Sequence, residues 1–166
     1  MVLIGMMGVG KTSVGRKLAN LLQFAFVDAD EEIERAAQLT IPEIFDRHGE
    51  AAFRDGERRV IARLIDGGPR IIATGGGAFC NADTRALILD RAIAVWLDCD
   101  LDILVERVSR KDNRPLLRGK DVRETLARLQ QERQPAYSQA PIHVISRGGP
   151  HSRTVGAILM ELAQWQ

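Results

Sequence analysis

Eight residues near the start of the chain have the types and spacing that bind phosphate. Gly5–Thr12, with the sequence GMMGVGKT, matches the pattern G-x-x-x-x-G-K-[ST] at every fixed position. In such a loop the backbone N–H groups surround an anion, and the positive end of the following helix adds to the attraction. Lys11 would reach the outer phosphates, and the Thr12 hydroxyl would bind Mg²⁺. The pattern predicts a nucleoside triphosphate, for which we favour ATP. The residues predicted to bind it here are Gly8, Val9, Gly10, Lys11, Thr12 and Ser13.

Two carboxylates follow a second short apolar run. Asp28 ends the run that begins at Ala25, and Asp30 lies two residues further on. If the extended geometry continues past Asp28, alternation puts both carboxylates on the same side. A carboxylate near an attacking hydroxyl suits phosphoryl transfer, in which positioning dominates. The alternative is the solvated start of an acidic helix, because three glutamates follow between residues 31 and 34.

A run of three glycines, Gly75–Gly77, follows the apolar segment Ile71–Thr74. Without a Cβ, a glycine lets its backbone approach a ligand closely. We therefore expect the amides of Gly76 and Gly77 to donate hydrogen bonds to substrate oxygens. The alternative is a flexible turn with no contact to a ligand.

These motifs lie at the ends of elements that predict an α/β fold. Short apolar runs alternate with helical segments, which is typical of a parallel sheet with helices on both faces. Ligands of such sheets bind beyond the carboxyl ends of the strands, where the glycines and acids described above are found. We expect one domain over residues 1–166. The predicted strands are Val2–Ile4, Ala25–Asp28, Ile71–Thr74, Ile93–Leu97 and Ile142–Ile145.

Three helix boundaries matter for the site. Thr40 and Glu43 form a capping-box pattern that opens one helix, and a second helix is predicted from Glu50 to Asp66. A third is predicted from Val122 to Gln134, because Pro135 is expected to end it.

Composition excludes several classes of protein. The 166 residues carry 23 basic and 22 acidic side chains, and this net charge of +1 gives no sign of nucleic-acid binding. No run of 18 apolar residues predicts a membrane span. Two cysteines and three histidines have neither disulfide-framework nor zinc spacing. We expect a cytoplasmic protein.

Other phosphate-binding classes fit the sequence less well. A GTPase needs an N-K-x-D segment, which is absent, and the D-x-x-G match at Asp46–Gly49 falls within a predicted helix. A large ATPase or helicase normally needs a longer chain. A small phosphotransferase is therefore the favoured interpretation.

Beyond the phosphate loop, the order and spacing of several segments resemble the shikimate kinases over nearly the whole chain. The matching segments are GMMGVGKT, Phe26–Asp30, Gly49–Arg54, Thr74–Gly77, Arg114–Leu117 and Arg133–Tyr137. The resemblance implies a three-layer P-loop kinase fold whose five-stranded parallel sheet has the order 2-3-1-4-5. It also implies a helical substrate-binding insert over about residues 31–60 and a lid over about residues 109–122.

The resemblance also assigns roles at the acceptor side. Asp28 would help to hold Mg²⁺ through water, and Asp30 would bind the acceptor hydroxyl and act as the base. Arg54 and Arg133 would hold the acceptor carboxylate, for which the forked guanidinium is well suited. With 19 arginines in the chain, only the motif match distinguishes these two. Glu57, three residues after Arg54, could orient its guanidinium.

At the nucleotide side, the resemblance implies three further contacts. Arg114 in the lid would contact the transferring phosphate, as a catalytic group beside Lys11 and Asp30. Arg107 would stack on adenine, with Arg110 as the alternative, and Pro150 would line the other face of the base.

The activity that the resemblance implies is ATP- and Mg²⁺-dependent phosphorylation of shikimate at its 3-hydroxyl, a step towards chorismate and the aromatic amino acids. We expect a monomer whose partners are ATP and shikimate, with no nucleic acid and no membrane. Two alternatives stay open: a gluconate or nucleotide kinase, and a nucleotide-binding regulatory protein without an acceptor.

Overall fold

Five short segments pair into one parallel sheet. In the computed structural model, which describes residues 1–109 and 121–165, every strand pairing is parallel. The order across the sheet is β2-β3-β1-β4-β5, which confirms the predicted order. The central strand β1 is completely buried, as its uninterrupted apolar sequence predicts. The strands are β1 (Val2–Ile4), β2 (Ala25–Asp28), β3 (Arg70–Ala73), β4 (Ala94–Asp98) and β5 (Ile142–Ile145).

Helices flank the sheet. α1 packs against β3 and α7, and α5 packs against α6. Within the described residues, no helix is both long and apolar enough to cross a bilayer. The helices are α1 (Lys11–Leu22), α2 (Ala29–Ala37), α3 (Ile41–Asp66), α4 (Ala82–Arg91), α5 (Leu101–Ser109), α6 (Val122–Tyr137) and α7 (His151–Gln164), with a 3-10 turn at Ala78–Cys80.

The chain turns from strand to helix earlier than the alternation argument assumed. β2 ends at Asp28 and α2 begins at Ala29, so Asp30 lies on the first turn of a helix. The Asp28 side chain caps this helix by accepting a hydrogen bond from the Asp30 N–H at 3.1 Å. The strand-alternation argument for the acidic pair is therefore wrong, and helix capping brings the two residues together instead.

Helix α3 consists of two helical segments joined at Gly49. The capping box of Thr40 and Glu43 opens the first segment, as predicted. Gly49 has φ 78° and ψ 173°, a conformation that breaks the helix and favours glycine. The second segment starts at the predicted Glu50. The D-x-x-G match lies within α3 and ends at this break, so it does not follow a strand.

Helix α6 continues through Pro135, so the prediction that this proline ends the helix is wrong. The proline removes only its own backbone donor, and the Ser138 N–H still bonds to the Gln134 carbonyl at 2.9 Å. The last turn is also held by tertiary contact, because Tyr137 is buried with only 2% of its surface exposed. Arg133 therefore projects from within a helix, one turn before its end.

Two helices end on a non-glycine residue in the left-handed region. Gln23 follows α1 with φ 55°, and Gln38 follows α2 with φ 53°. Each closes its helix where glycine is the usual residue.

Candidate active site

The phosphate loop connects β1 to α1, as its sequence predicts. Gly5, Gly8 and Gly10 all have positive φ, between 83° and 136°, which explains three of its glycines. A Cβ on Gly5 would also collide with the carbonyl of Leu97. The Lys11 ammonium group donates hydrogen bonds to the carbonyls of Gly5 at 2.8 Å and Met6 at 2.9 Å. The lysine thus lies over the loop whose phosphate it would bind.

Next to the loop, a hydroxyl and a carboxylate form an oxygen-only pair. Thr12 Oγ1 donates to Asp28 Oδ2 at 3.1 Å, while Asp28 Oδ1 accepts from the backbone of Asp30. Within the described residues, no cluster of three or more His, Cys, Asp or Glu side chains could hold a metal alone. The hydroxyl and carboxylate oxygens of this pair fit Mg²⁺, which prefers oxygen ligands and shares its shell with waters and substrate phosphates.

The Asp30 carboxylate has an unusual environment for an acid. Burial raises its pKa from the ordinary 3.8 to about 6, and the neighbouring Asp28 charge acts in the same direction. Lys11 and Arg54 oppose this rise. At neutral pH the group is ionised and much more basic than an ordinary aspartate.

Arg54 is oriented by its own helix. Its Nη1 donates to Glu57 Oε2 at 2.6 Å, and Glu57 is only 1% exposed, which confirms the expected pairing. Burial raises the pKa of Glu57, while the Arg54 charge opposes that rise. The guanidinium also lies over the Phe53 ring, 5.0 Å from its centroid. Phe45 packs on Phe53 with ring centroids 4.5 Å apart.

Each glycine of Gly75–Gly77 leaves room for a different charged side chain. A Cβ on Gly75 would be 2.8 Å from Asp30 Oδ1, and one on Gly77 would be 2.5 Å from Arg54 Nη2. A Cβ on Gly76 would be 2.6 Å from Arg133 Nη1. The run therefore brings together Asp30 and both arginines, a role that the glycine pattern alone does not reveal.

Two cavities meet at the glycine run. The first, about 750 Å³, contains most of the residues predicted for phosphate, metal and base; the second, about 840 Å³, contains Arg54, Gly77 and Arg133. The predicted residues that line the first are Gly8, Gly10, Lys11, Thr12, Ser13, Asp28, Asp30, Gly76 and Arg107.

The nucleoside end of the first cavity differs in detail from expectation. Arg107 lines this cavity and donates a hydrogen bond to the Val9 carbonyl at 3.0 Å. Val9 itself does not line the cavity, and its backbone carbonyl holds the Arg107 side chain. Among the described residues, Gly148, Gly149 and His151 line the cavity where Pro150 was predicted. In the sequence, the pair Gly148 and Gly149 after β5 could have indicated that the backbone at this point lines the cavity. Arg110 and Arg114 lie outside the described residues.

Fold and site together define the class of protein. A parallel sheet of order 2-3-1-4-5, with a phosphate-binding loop after its first strand and a carboxylate beside the loop, is the architecture of a P-loop kinase. The family model described as Shikimate kinase matches residues 7–163. The chain belongs to the shikimate kinase family, as the sequence motifs indicated.

Individual relatives agree with the family. A shikimate kinase of Novosphingobium aromaticivorans is 63% identical over 169 aligned positions, covering 99% of this chain and 88% of that protein. One of Caulobacter vibrioides is 59% identical over 163 positions, covering 98% and 82%. The structure of the shikimate kinase from Acinetobacter baumannii in complex with shikimate is similar with a TM-score of 0.90 at 37% identity, covering 98% of this chain and 92% of that one.

Proposed function

We propose that the protein transfers the terminal phosphoryl group of ATP to the 3-hydroxyl of shikimate, which yields ADP and shikimate 3-phosphate on the route to chorismate and the aromatic amino acids. One observation supports this proposal above all: Asp30, Arg133 and Arg54 lie against the three successive glycines Gly75–Gly77, and Asp30 lines the same cavity as the phosphate loop.

Asp30 serves as the base. With a pKa of about 6 it is ionised at neutral pH and accepts the proton as the acceptor's O–H bond breaks. The acceptor oxygen forms a bond to phosphorus, and the bond between that phosphorus and the leaving oxygen of ADP breaks. Lys11 and the loop amides stabilise the charge on the phosphoryl oxygens.

Thr12, through its hydroxyl, and Asp28, through water, would hold Mg²⁺. When bound, the ion neutralises charge on the phosphates. The hydrogen bonds that Asp28 accepts from the Thr12 hydroxyl and the Asp30 N–H orient its carboxylate towards that site.

Arg54 and Arg133 bind the acceptor carboxylate, with help from the Gly76 and Gly77 backbone. Within the described residues, Arg133 Nη1 is a buried donor without a hydrogen-bond partner, so a ligand oxygen there would remove an energetic penalty. The Acinetobacter baumannii relative, which was solved with shikimate, supports this choice of acceptor.

The remaining assignments rest on the family. The family implies a lid over residues 109–122 whose Arg114 would contact the transferring phosphate; residues 110–120, which include Arg114, lie outside the described part of the chain. Arg107 stacks on adenine with Pro150 on the other face. Residues 31–60 form the substrate-binding insert of a single domain over residues 1–166. A small apolar cluster of Ile33, Ile44 and Phe53, separate from the main core, supports that insert. The enzyme acts as a monomer in the cytoplasm.

ADP release with ATP and Mg²⁺, measured with and without shikimate, tests the proposal. Gluconate and AMP serve as control acceptors, and ³¹P NMR identifies the product. Stimulation by shikimate alone is expected. Stimulation by gluconate or AMP instead would indicate another small-molecule kinase, and nucleotide binding without any acceptor effect would indicate a regulatory protein.

A further inference from the structure

A buried tyrosine connects the acceptor helix to the glycine run. Tyr137 lies on α6, one turn after Arg133, and its hydroxyl donates a hydrogen bond to the carbonyl of Gly76. Its ring packs against Trp96, with centroids 5.9 Å apart. Burial raises the pKa of this hydroxyl, so it remains a neutral donor at physiological pH.

This hydrogen bond sets the direction of the next backbone amide. No peptide bond among the described residues is cis, so the Gly76 carbonyl and the Gly77 N–H point in opposite directions from one rigid plane. With its carbonyl held by Tyr137, the peptide directs the Gly77 N–H away from the tyrosine. Gly77 lines the cavity that also contains Arg54 and Arg133.

The same hydrogen bond fixes the glycine run against α6. Gly76 lies between the phosphate loop and Arg133: its Cβ would be 3.5 Å from the Gly5 carbonyl and 2.6 Å from Arg133 Nη1. A small shift between α6 and the run would therefore either crowd this guanidinium or withdraw it from the cavity. Tyr137 lies one helical turn after Arg133, and its hydrogen bond to Gly76 therefore holds this part of α6 against the glycine run.

We propose that Tyr137 is a positioning residue for the acceptor: its hydroxyl holds the Gly76–Gly77 peptide and α6 together, so that the Gly77 N–H and the Arg133 guanidinium face the same ligand oxygens. This inference rests on the proposed function, because it names the protein groups that recognise the shikimate carboxylate and its neighbouring oxygens. Tyr137 itself touches neither substrate.

The substitution Tyr137→Phe tests the proposal, since it removes the hydroxyl and keeps the ring. We expect the Kd of shikimate, measured by calorimetry without nucleotide, and its KM to rise about five- to tenfold. The KM of ATP and kcat at saturating shikimate should change less than about twofold, because the phosphate side keeps its contacts. If Tyr137 only stabilised the fold, its substitution would not weaken shikimate binding while leaving the KM of ATP and kcat nearly unchanged.

Thr154→Val is the matched control. It removes another buried hydroxyl, which donates to Ser146 Oγ at 3.3 Å and lines neither cavity. Its shikimate affinity should equal that of the wild type. An unchanged shikimate Kd in Tyr137→Phe would overturn the inference, as would equal losses of shikimate and ADP affinity with a lowered melting temperature. Wild-type protein that binds no shikimate would instead refute the proposed function, and this inference with it.

Discussion

Gly77 and Arg54 lie so close together that a Cβ at residue 77 would force the Arg54 guanidinium to shift. A Cβ on Gly77 would be 2.5 Å from Nη2 of Arg54 and 3.1 Å from its Cζ. The backbone at Gly77 has φ −92° and ψ −15°, which any residue can adopt. The glycine is therefore needed for the space taken by the guanidinium, and its backbone conformation does not require it.

The substitution Gly77→Ala should consequently weaken acceptor binding. The added methyl group displaces the Arg54 guanidinium, whose partner Glu57 is buried and holds it in place. We expect the KM of shikimate to rise at least about tenfold, consistent with loss of a charge-assisted contact. The KM of ATP should stay within about twofold of wild type, as measured by steady-state kinetics.

Gly56→Ala provides the matched control. Gly56 lies in α3, two residues from Arg54, and a Cβ there meets no atom within 4 Å. Alanine should stabilise the helix by about 0.5–1 kcal/mol and leave both KM values unchanged. If the two alanine variants bound shikimate equally well, the packing argument would be wrong.

Asp30→Asn should separate activity from stability. Losing the base should remove most of kcat, while the Kd of ADP stays near the wild-type value. A carboxyl with a raised pKa costs folding free energy when ionised, so the uncharged amide should stabilise the protein at pH 7 by about 1–3 kcal/mol. Urea unfolding at pH 7 and pH 4 checks this, because the gain should shrink as the wild-type carboxyl becomes protonated. A variant with near-normal turnover would contradict the role of base.

The pH dependence of wild-type activity should report the ionisation of the Asp30 carboxyl. A base acts as the carboxylate, so, with Asp30 as the proposed base, kcat/KM for shikimate should fall about tenfold per pH unit below a pKa of about 6 and level off above it. An ordinary aspartate, whose pKa is about 3.9, would keep about nine-tenths of its activity at pH 5. The profile is measured from pH 5 to 8 with ADP affinity as the reference. Full activity at pH 5 would contradict a raised pKa for the base.

Glu57→Gln tests how Arg54 is oriented. The amide preserves the shape of Glu57 but removes the charge that pairs with the guanidinium at 2.6 Å, so the KM of shikimate should rise by about fivefold to tenfold. Glu50 lies 3.6 Å from the Nε of the same arginine but is 71% exposed. Glu50→Gln should therefore have almost no effect, because solvent screens that pair. If the two variants raised the KM of shikimate equally, burial of the glutamate would not determine how strongly it orients Arg54.

Features that depend on residues close together in the sequence could be predicted from local patterns. The phosphate loop and the strand order follow from residues close together in the sequence or from the family pattern, and both are confirmed. Asp30 lines the cavity, as predicted, but the predicted geometry is wrong. Asp28 and Asp30 are brought together by a helix-capping hydrogen bond and not by alternation along a strand.

Long-range contacts could not be predicted in this way. Tyr137 and the carbonyl it binds are 61 residues apart, and nothing in the motif around Pro135 indicates that pairing. The same contact helps α6 to continue past the proline. The clearance role of Gly75–Gly77 was also hidden, because a glycine run looks the same whether it accommodates a ligand or a neighbouring side chain.

The two left-handed glutamines have a consequence for protein engineering. Gln23 and Gln38 adopt φ values of 55° and 53° at helix ends where glycine avoids a steric cost of about 1 kcal/mol. Neither residue lines a cavity of the site. Glycine at these two positions offers a route to a more heat-resistant enzyme in which turnover and substrate choice are unchanged.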